Sequence, residues 1–138
     1  MKLQDFDFRI WDEDNEEFYK NPSIFKIKQI KGPHNVVLSS YSDNERINFE
    51  GYDRKFEVEL FTRLYDKNGK KVYENDIVKA KNPFNYLEAK ISIHKEGTFY
   101  LENKSGHYMG SLIYLVEDEG YTIEIIGNIH ENPELLKC

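Results

Sequence analysis

Hydrophobic and polar residues alternate with a period of two along most of this 138-residue chain. The alternation is clearest at Leu87, Ala89, Ile91 and Ile93, which are separated by polar or charged residues. Successive side chains of a β-strand point to opposite faces, so this spacing predicts a half-buried strand. The same reasoning predicts strands over 6–11, 24–30, 36–38, 56–60, 98–101, 112–116 and 121–126. Residues 42–54 lack a clear pattern and are expected to form a loop or a weak helix.

Turn-forming residues separate the predicted strands. Asn68-Gly69 supplies two residues that accept a positive φ, as a tight turn between twisted strands requires. The acidic run 12–17 predicts a solvated hairpin tip, since it lacks the sixth-position Gly and twelfth-position Glu of a calcium loop. Near the end of the chain, Asn132 is expected to cap a single helical turn that begins at Pro133. No helical stripe of three or more turns is present, so the predicted fold class is mainly β.

The composition favours a folded protein in a reducing compartment. Aromatic residues make up 14% of the chain, which is more than disordered chains carry. The single cysteine, Cys138, has no partner for an internal disulfide. No apolar run reaches the length of a membrane span, and the N-terminus lacks the apolar core of a signal peptide. These observations predict a soluble cytoplasmic protein that is not bound to a membrane.

Candidate catalytic and metal-binding residues are few. The histidines lack the spacing of zinc ligands, and His107, in a predicted loop, is the first that we would mutate. Glu117 and Glu119 form a carboxylate pair, but no defined cleft is predicted around them. Nucleophile elbows, phosphate loops and dinucleotide motifs are absent. Arg9 and Trp11 share one face of the first strand, either as interface anchors or as core packing. The sequence therefore predicts no catalytic, cofactor or metal site.

Three separated blocks of sequence carry a family resemblance. They are Phe8–Asp12, with the sequence FRIWD, residues 64–78, and the tail GNIHENPELL at 127–136. In order and spacing these blocks resemble the YopX family of phage and prophage proteins. The resemblance implies an SH3-like small barrel in 59–138, a β-rich N-terminal region in 1–58, and a gene carried by bacteriophages. It would place the protein in the cytoplasm of the bacterial host, and it implies no activity.

The chain departs from the family pattern at three places. Asn75 and Arg63 each stand where a Gly is common in the family. Asn tolerates a left-handed backbone better than most residues, so the turn at Asn75 is expected to survive. Residues 20–58 match no part of the pattern. We therefore expect a function peculiar to this chain to reside in that middle region.

Two hypotheses about function follow, and an enzyme with an unfamiliar site stays open. The leading hypothesis is a non-enzymatic protein-binding or assembly module, which would act on a host factor or through homo-oligomerisation. High Tyr and Phe content and strand edges that need covering support it. The alternative is a nucleic-acid-binding barrel, although the net charge of −6 is spread evenly and gives no basic excess. Its lysine face would comprise Lys67, Lys70, Lys71, Lys79 and Lys81, with Tyr65 and Tyr73.

Overall fold

In the residues that the structure describes, nearly all of the regular secondary structure is antiparallel β-strand. The computed structural model describes residues 1–19, 24–29, 36–42, 45–49 and 56–137. The strands are β1 (Phe8–Asp12), β2 (Glu17–Phe18), β3 (Ile24–Gln29), β4 (Val36–Ser42), β5 (Glu45–Phe49), β6 (Phe56–Tyr65), β7 (Lys71–Tyr73), β8 (Asp76–Lys81), β9 (Tyr86–Ile93), β10 (Phe99–Glu102), β11 (Tyr108–Ser111) and β12 (Thr122–Asn128). The mainly β prediction is confirmed.

Helix is limited, in these described residues, to three single turns. Leu3–Asp5 and Pro133–Leu136 are 3-10 turns, and Tyr114–Asp118 is a π-helical turn. The helical turn predicted at Pro133 is therefore confirmed. Across the described ranges, none of these turns combines the length and apolar character needed to cross a membrane.

The chain divides into two compact units. The inserted unit comprises Arg9–Val58, and the main unit comprises Met1–Phe8 together with Glu59–Cys138. The predicted domains, 1–58 and 59–138, stay a prediction, because compactness within the folded chain does not measure independent folding.

The inserted unit contains a hairpin with a polar tip. β1 and β2 pair antiparallel, with Trp11 opposite Phe18, and the two rings meet edge to face at 5.0 Å. The Oδ1 atom of Asp12 accepts hydrogen bonds from the backbone N–H groups of Asp14 and Asn15, which closes the turn. Trp11 is buried. The solvated tip is confirmed, and Trp11 is a packing residue.

A three-stranded antiparallel sheet follows in the inserted unit. Its order is β3-β4-β5, and Leu38 of β4 lies opposite both Ile27 and Phe49. β5 shows that the loop or weak helix expected over 42–54 was wrong for Glu45–Phe49. The polar residues of β5 have low strand propensity, and pairing with β4 overrides that local preference.

The main unit is organised around a five-stranded antiparallel sheet. Its order is β11-β10-β9-β8-β12. Alternate residues of its strands are buried on one side, as the alternation in β9 predicted for Ala89 and Ile91. The buried cluster comprises Val72, Val78, Ala80, Ala89, Ile91, Leu101, Leu112, Leu115, Tyr121 and Ile123. The core therefore lies on one face of this sheet and leaves the other face polar.

One strand of this sheet was predicted in the wrong place. The apolar run 112–116 was expected to be a strand, but it leads into the π-helical turn, where Leu115 enters the core. The strand is Tyr108–Ser111 instead, and it pairs with β10. A short apolar run fits a strand or a buried helical turn equally well, so periodicity could not decide between them.

The turn over residues 66–70, which we call the Asp66 turn, covers the edge of β12 that no other strand of the described residues pairs with. The Oδ1 atom of Asp66 accepts hydrogen bonds from the N–H groups of Asn68 and Lys70, and Gly69 has a φ of 80°, as a tight turn requires. Its Oδ2 atom accepts the N–H of Ile125, and the carboxylate charge is stabilised there. This part of the second family block therefore has a structural role, because it joins the turn to the edge of the sheet.

The C-terminal block also holds the fold together. The Oδ1 atom of Asn128 accepts the N–H groups of His130 and Glu131. Asn132 was expected to cap the final helical turn, but its side chain forms no capping bond. Its Oδ1 atom accepts the N–H of Asn128 instead, which locks the loop after β12 onto itself.

Two of the three departures from the family pattern, Asn75 and Arg63, have a left-handed backbone. Asn75 has a φ of 69°, and Arg63 has a φ of 71° at an irregularity in the β6–β7 pairing. Glycine adopts such angles without steric cost, which explains why it is common at both places. Asn75 also donates from Nδ2 to the buried carboxylate of Glu59 at 2.6 Å. The expectation that Asn75 preserves the turn is therefore confirmed.

Candidate functional site

The outer face of the five-stranded sheet lies opposite the core. Alternate residues of β8 are buried, so Lys79 and Lys81 point to this face. The strand register places Lys81 between Thr122 of β12 and Tyr86 of β9. We use the name outer face for the following side chains: Lys79, Lys81, Tyr86, Glu88, Lys90, Ser92, Tyr100, Glu102, Thr122 and Glu124.

On the outer face, a row of charged side chains from three strands (Glu124, Lys79 and Glu88) lies next to the row of Thr122, Lys81 and Tyr86. Lys79 lies between Glu124 and Glu88, so its ammonium group has a carboxylate on either side. Lys67, from the Asp66 turn, forms an ion pair with Glu124 and lowers the pKa of that carboxyl group. Lys81 differs, because it forms no ion pair within the described part of the chain. The positive charge of Lys81 is therefore available to a ligand.

A cavity of about 630 Å³ opens between these rows. We call it the lysine cavity. Its lining residues are Lys67, Lys79, Lys81, Asn82, Pro83, Tyr86, Gly120, Thr122 and Glu124. Ligand sites commonly measure about 300–1,000 Å³, so the cavity has room for a group the size of a nucleotide.

One exposed aromatic side chain, Tyr86, lines the lysine cavity, and a second, Phe84, lies between its lining residues Pro83 and Tyr86 in the sequence. The Oδ1 atom of Asn82 accepts the N–H groups of Phe84 and Asn85, at 2.9 and 2.6 Å, and so builds a tight turn between β8 and β9. Phe84 lies in that turn and is 90% exposed. Tyr86, at the start of β9, is 56% exposed, and its hydroxyl donates to Glu88 at 2.7 Å. That bond raises the pKa of the Tyr86 phenol above its ordinary value.

The charge of the lysine cavity opposes the charge of the whole chain. Further along, Lys90 pairs with Glu102 at 2.9 Å, and Lys104 reaches Glu88 at 3.6 Å. The outer face as defined above carries three lysines and three glutamates, so it is neutral as a whole. The lining of the lysine cavity, with Lys67, Lys79 and Lys81 against Glu124, carries a net charge of +2. The chain as a whole carries −6. An anionic ligand is therefore directed to this part of the surface.

The structure brings together only part of the predicted lysine face. Lys67, Lys79 and Lys81 line the lysine cavity. Lys71 lies in β7, which is not part of the five-stranded sheet, and pairs instead with Asp7 at 2.8 Å. Lys70 lies in the Asp66 turn and does not line the cavity.

The two tyrosines assigned to that face also lie elsewhere. Tyr65 packs edge to face on Phe61 at 5.6 Å, and Tyr73 donates its hydroxyl to Asp7 at 2.6 Å. Sequence reasoning missed Tyr86 and Phe84. Their proximity to Lys79 and Lys81 in the sequence was the signal that could have found them.

The histidines occupy unrelated positions. His94 stacks on Tyr100 at 4.0 Å, and His107 lies exposed in the β10–β11 loop, where its backbone N–H donates to Asn103 at 2.9 Å. The Nε2 atom of His130 lies 2.8 Å from the carboxylate of Glu59. The predictions for His34 and Cys138 concern positions outside the described residues.

The predicted carboxylate pair is exposed. Glu117 and Glu119 lie at the end of the π-helical turn. Glu119 accepts the hydroxyl of Tyr114 at 2.7 Å, which raises the pKa of that tyrosine. The Glu119 carboxylate therefore anchors a surface tyrosine.

The chain is similar to known proteins over nearly all of its length. The profile of the family described as YopX protein matches residues 7–137. Protein EF1440 from Enterococcus faecalis shares 23% identity and a TM-score of 0.56, covering 96% of this chain and 98% of that one. Protein yopX from Bacillus subtilis shares 18% identity and a TM-score of 0.64, covering 94% and 97%. At these identities the two structures establish the fold alone. Among curated proteins, none matches this chain significantly.

Proposed function

Because the chain belongs to the YopX family, we propose that it is a phage- or prophage-encoded binding protein without catalytic activity, and that its outer face binds nucleic acid. The observation that carries the proposal is a cavity lined by three lysines and one glutamate, with a net charge of +2, on a chain of charge −6. Phosphate contacts from lysines supply most of the affinity of such binding.

The family blocks support a ligand site outside them. In the Asp66 turn and the C-terminal block, the side chains of Asp66 and Asn128 accept hydrogen bonds from backbone N–H groups of the fold itself. Of the residues that line the lysine cavity, Lys67 belongs to the second block, and those within 79–86 and 120–124 belong to no block. We therefore place the ligand at the lysine cavity.

A salt titration with matched variants tests the proposal. Lys79→Ala/Lys81→Ala removes two cavity lysines, and Lys70→Ala/Lys95→Ala removes the same charge from two exposed turns. Binding of labelled DNA to the wild type should weaken as salt rises, and the cavity variant should lower the slope of log K against log salt by about 1.4 for a single strand. Lack of binding at low salt, or equal losses in the two variants, would refute the proposal.

Three finer statements belong to this proposal and rest on the family resemblance. Residues 59–138 form an SH3-like barrel, the gene is carried by a phage or prophage, and the protein works in the cytoplasm of the bacterial host. SH3-like barrels often present loops to nucleic acids, which is an argument from fold analogy.

A second candidate function is docking of a protein at the edge of the sheet. In the part of the chain that the structure describes, β11 has no strand on its outer side. Tyr108 and Met109 of β11 are 58% and 39% exposed, and Ile113 and Tyr114 nearby are 48% and 49% exposed. Such an edge can accept a strand from a host factor or from a second copy of the chain.

An interaction screen separates the docking versions. Light scattering that shows a strict monomer at high concentration would remove homo-oligomerisation. A pull-down from infected host lysate, with Met109→Lys as the control, tests a host factor, because an edge lysine opposes strand addition. Capture of the same proteins by both forms would remove the β11 edge as the docking site.

A further inference from the structure

We infer that the outer face binds a single strand of nucleic acid in preference to a duplex, with Tyr86 and Phe84 as stacking platforms for bases beside the lysine cavity. The inference rests on the proposed function and specifies its ligand. It follows from two properties of this surface, namely exposed aromatic rings and a mixed pattern of charge.

The first property is the exposure of the two rings. Phe84 is 90% exposed at the tip of a turn that Asn82 holds rigid, and Tyr86 is 56% exposed at the start of β9. The hydroxyl of Tyr86 is tied to Glu88, which fixes the ring. Unpaired bases stack on such rings whatever their sequence, whereas the bases of a duplex are already stacked on one another.

The second property is the interleaving of lysines with glutamates. Lys79 stands between Glu124 and Glu88, and Lys67 is paired with Glu124. Duplex DNA carries about one negative charge per 1.7 Å, so these carboxylates would repel its dense phosphates. A single strand can place few phosphates near Lys81 and gain the rest of its affinity from stacking. The charge pattern therefore favours the single strand.

The cavity supplies groups suited to one phosphate. Lys81 forms no ion pair in the described ranges, and Thr122 is its neighbour in the sheet. An ammonium group and a hydroxyl are both donors that phosphate oxygens accept. Because Tyr86 is the neighbour of Lys81 on the other side, one nucleotide can place its phosphate at Lys81 and its base on the tyrosine ring.

Fluorescence anisotropy with the full chain tests this inference. The probes are a labelled 12-nucleotide thymidine strand, a 12-base-pair duplex and a labelled polyglutamate peptide. The variants Tyr86→Leu and Phe84→Leu keep apolar bulk and remove the ring. Tyr65→Leu is the control, since Tyr65 is 59% exposed on another sheet. Circular dichroism verifies that each variant is folded.

The inference predicts that the single strand binds at least tenfold more tightly than the duplex. Each ring removal at Tyr86 or Phe84 should weaken single-strand binding by about 5- to 150-fold, and Tyr65→Leu should leave it within twofold. Duplex binding that equals single-strand binding and resists ring removal, but depends on Lys79 and Lys81, would overturn the inference and leave the proposed function standing. Polyglutamate binding as tight as the single strand, or binding to none of the probes, would overturn both.

Discussion

A Cβ atom placed on Gly127 would lie 2.5 Å from the Oδ1 atom of Asn132. Asn132 holds that position because the same oxygen accepts the backbone N–H of Asn128. The glycine is thus required for space, and the loop after β12 depends on it. This relationship gives the Gly-Asn-Ile-His-Glu-Asn tail, through which the chain resembles its family, a structural explanation.

Gly127→Ala should therefore destabilise the protein. Overpacking of this kind costs about 1–3 kcal/mol in the free energy of unfolding, which urea denaturation can measure. The double variant Gly127→Ala/Asn132→Ala removes the two closest contacts, with Oδ1 and Cγ of Asn132, and leaves only its Cβ atom at 2.9 Å, so its loss of stability should be smaller than the sum of the two single losses. Additive losses would show that the two residues do not contend for the same space.

Arg63 offers a test of backbone strain. Its φ of 71° is costly for a residue with a Cβ atom, and its pair with Asp5 at 3.5 Å is exposed and weak. Arg63→Gly and Arg63→Ala both remove that pair, and they differ only in the Cβ atom. We expect the glycine variant to be more stable than the alanine variant by about 1 kcal/mol in urea denaturation. The reverse order, which is usual at unstrained positions, would contradict the left-handed conformation.

Acid should weaken the Asp66 turn. Burial raises the pKa of Asp66, but hydrogen bonds from the N–H groups of Lys70, Ile125 and Asn68 outweigh this and hold the pKa below its ordinary value. A lowered pKa in the folded state stabilises the protein above the unfolded-state pKa, near 3.9, and that stabilisation is lost as the pH falls through the folded-state pKa. In Asp66→Asn, the free energy of unfolding should decrease less steeply as the pH drops below 4. Some decrease should remain, since Asp7 also has a lowered pKa. An unchanged pH profile in Asp66→Asn would contradict the account.

The contact between His130 and Glu59 should stabilise the folded protein. Glu59 is 1% exposed, and the Nε2 atom of His130 lies 2.8 Å from its carboxylate. His130→Ala removes one partner of the buried Glu59 carboxylate, and Asn75 is among those that remain. The free energy of unfolding should therefore fall by about 1–3 kcal/mol. A double-mutant cycle with Glu59→Gln, followed by urea denaturation, isolates the coupling. A coupling of zero would mean that the two side chains act independently.

Most of the strands could be predicted because alternation reports burial directly. Ala89 and Ile91 are fully buried and the residues between them face outward, as a period of two requires. The Asn68-Gly69 turn was predictable for a local reason, since few residue pairs accept such angles. Where local chemistry alone fixes the conformation, the sequence is sufficient.

The remaining elements depend on distant partners. β5, at Glu45–Phe49, becomes a strand through its pairing with β4, and the run from Leu112 enters a helical turn because Leu115 fills the core. Asn132 suited a helix cap by its position, but Asn128 offered its side chain a different partner. Tertiary contacts decided each of these cases against local preference.

The candidate site was predictable only in part. Lys79 and Lys81 could be placed on one face by alternation, and Lys67 joins them because the Asp66 turn folds onto β12. The predicted neighbour Lys71 went to Asp7 instead, a contact across 64 positions of sequence. The lysine cavity depends on the register between strands, and a single sequence does not specify that register.

The central claim is that nucleic acid binds to the outer face, and mapping of the contact by NMR tests it most directly. Assigned amide spectra of the full chain would be recorded at low salt as the 12-nucleotide single strand is added. The account predicts the largest shifts from Lys79 to Tyr86 and from Gly120 to Glu124, the segments that line the lysine cavity. Shifts confined to β11 or to the β1–β2 hairpin, or no shifts at excess strand, would contradict it.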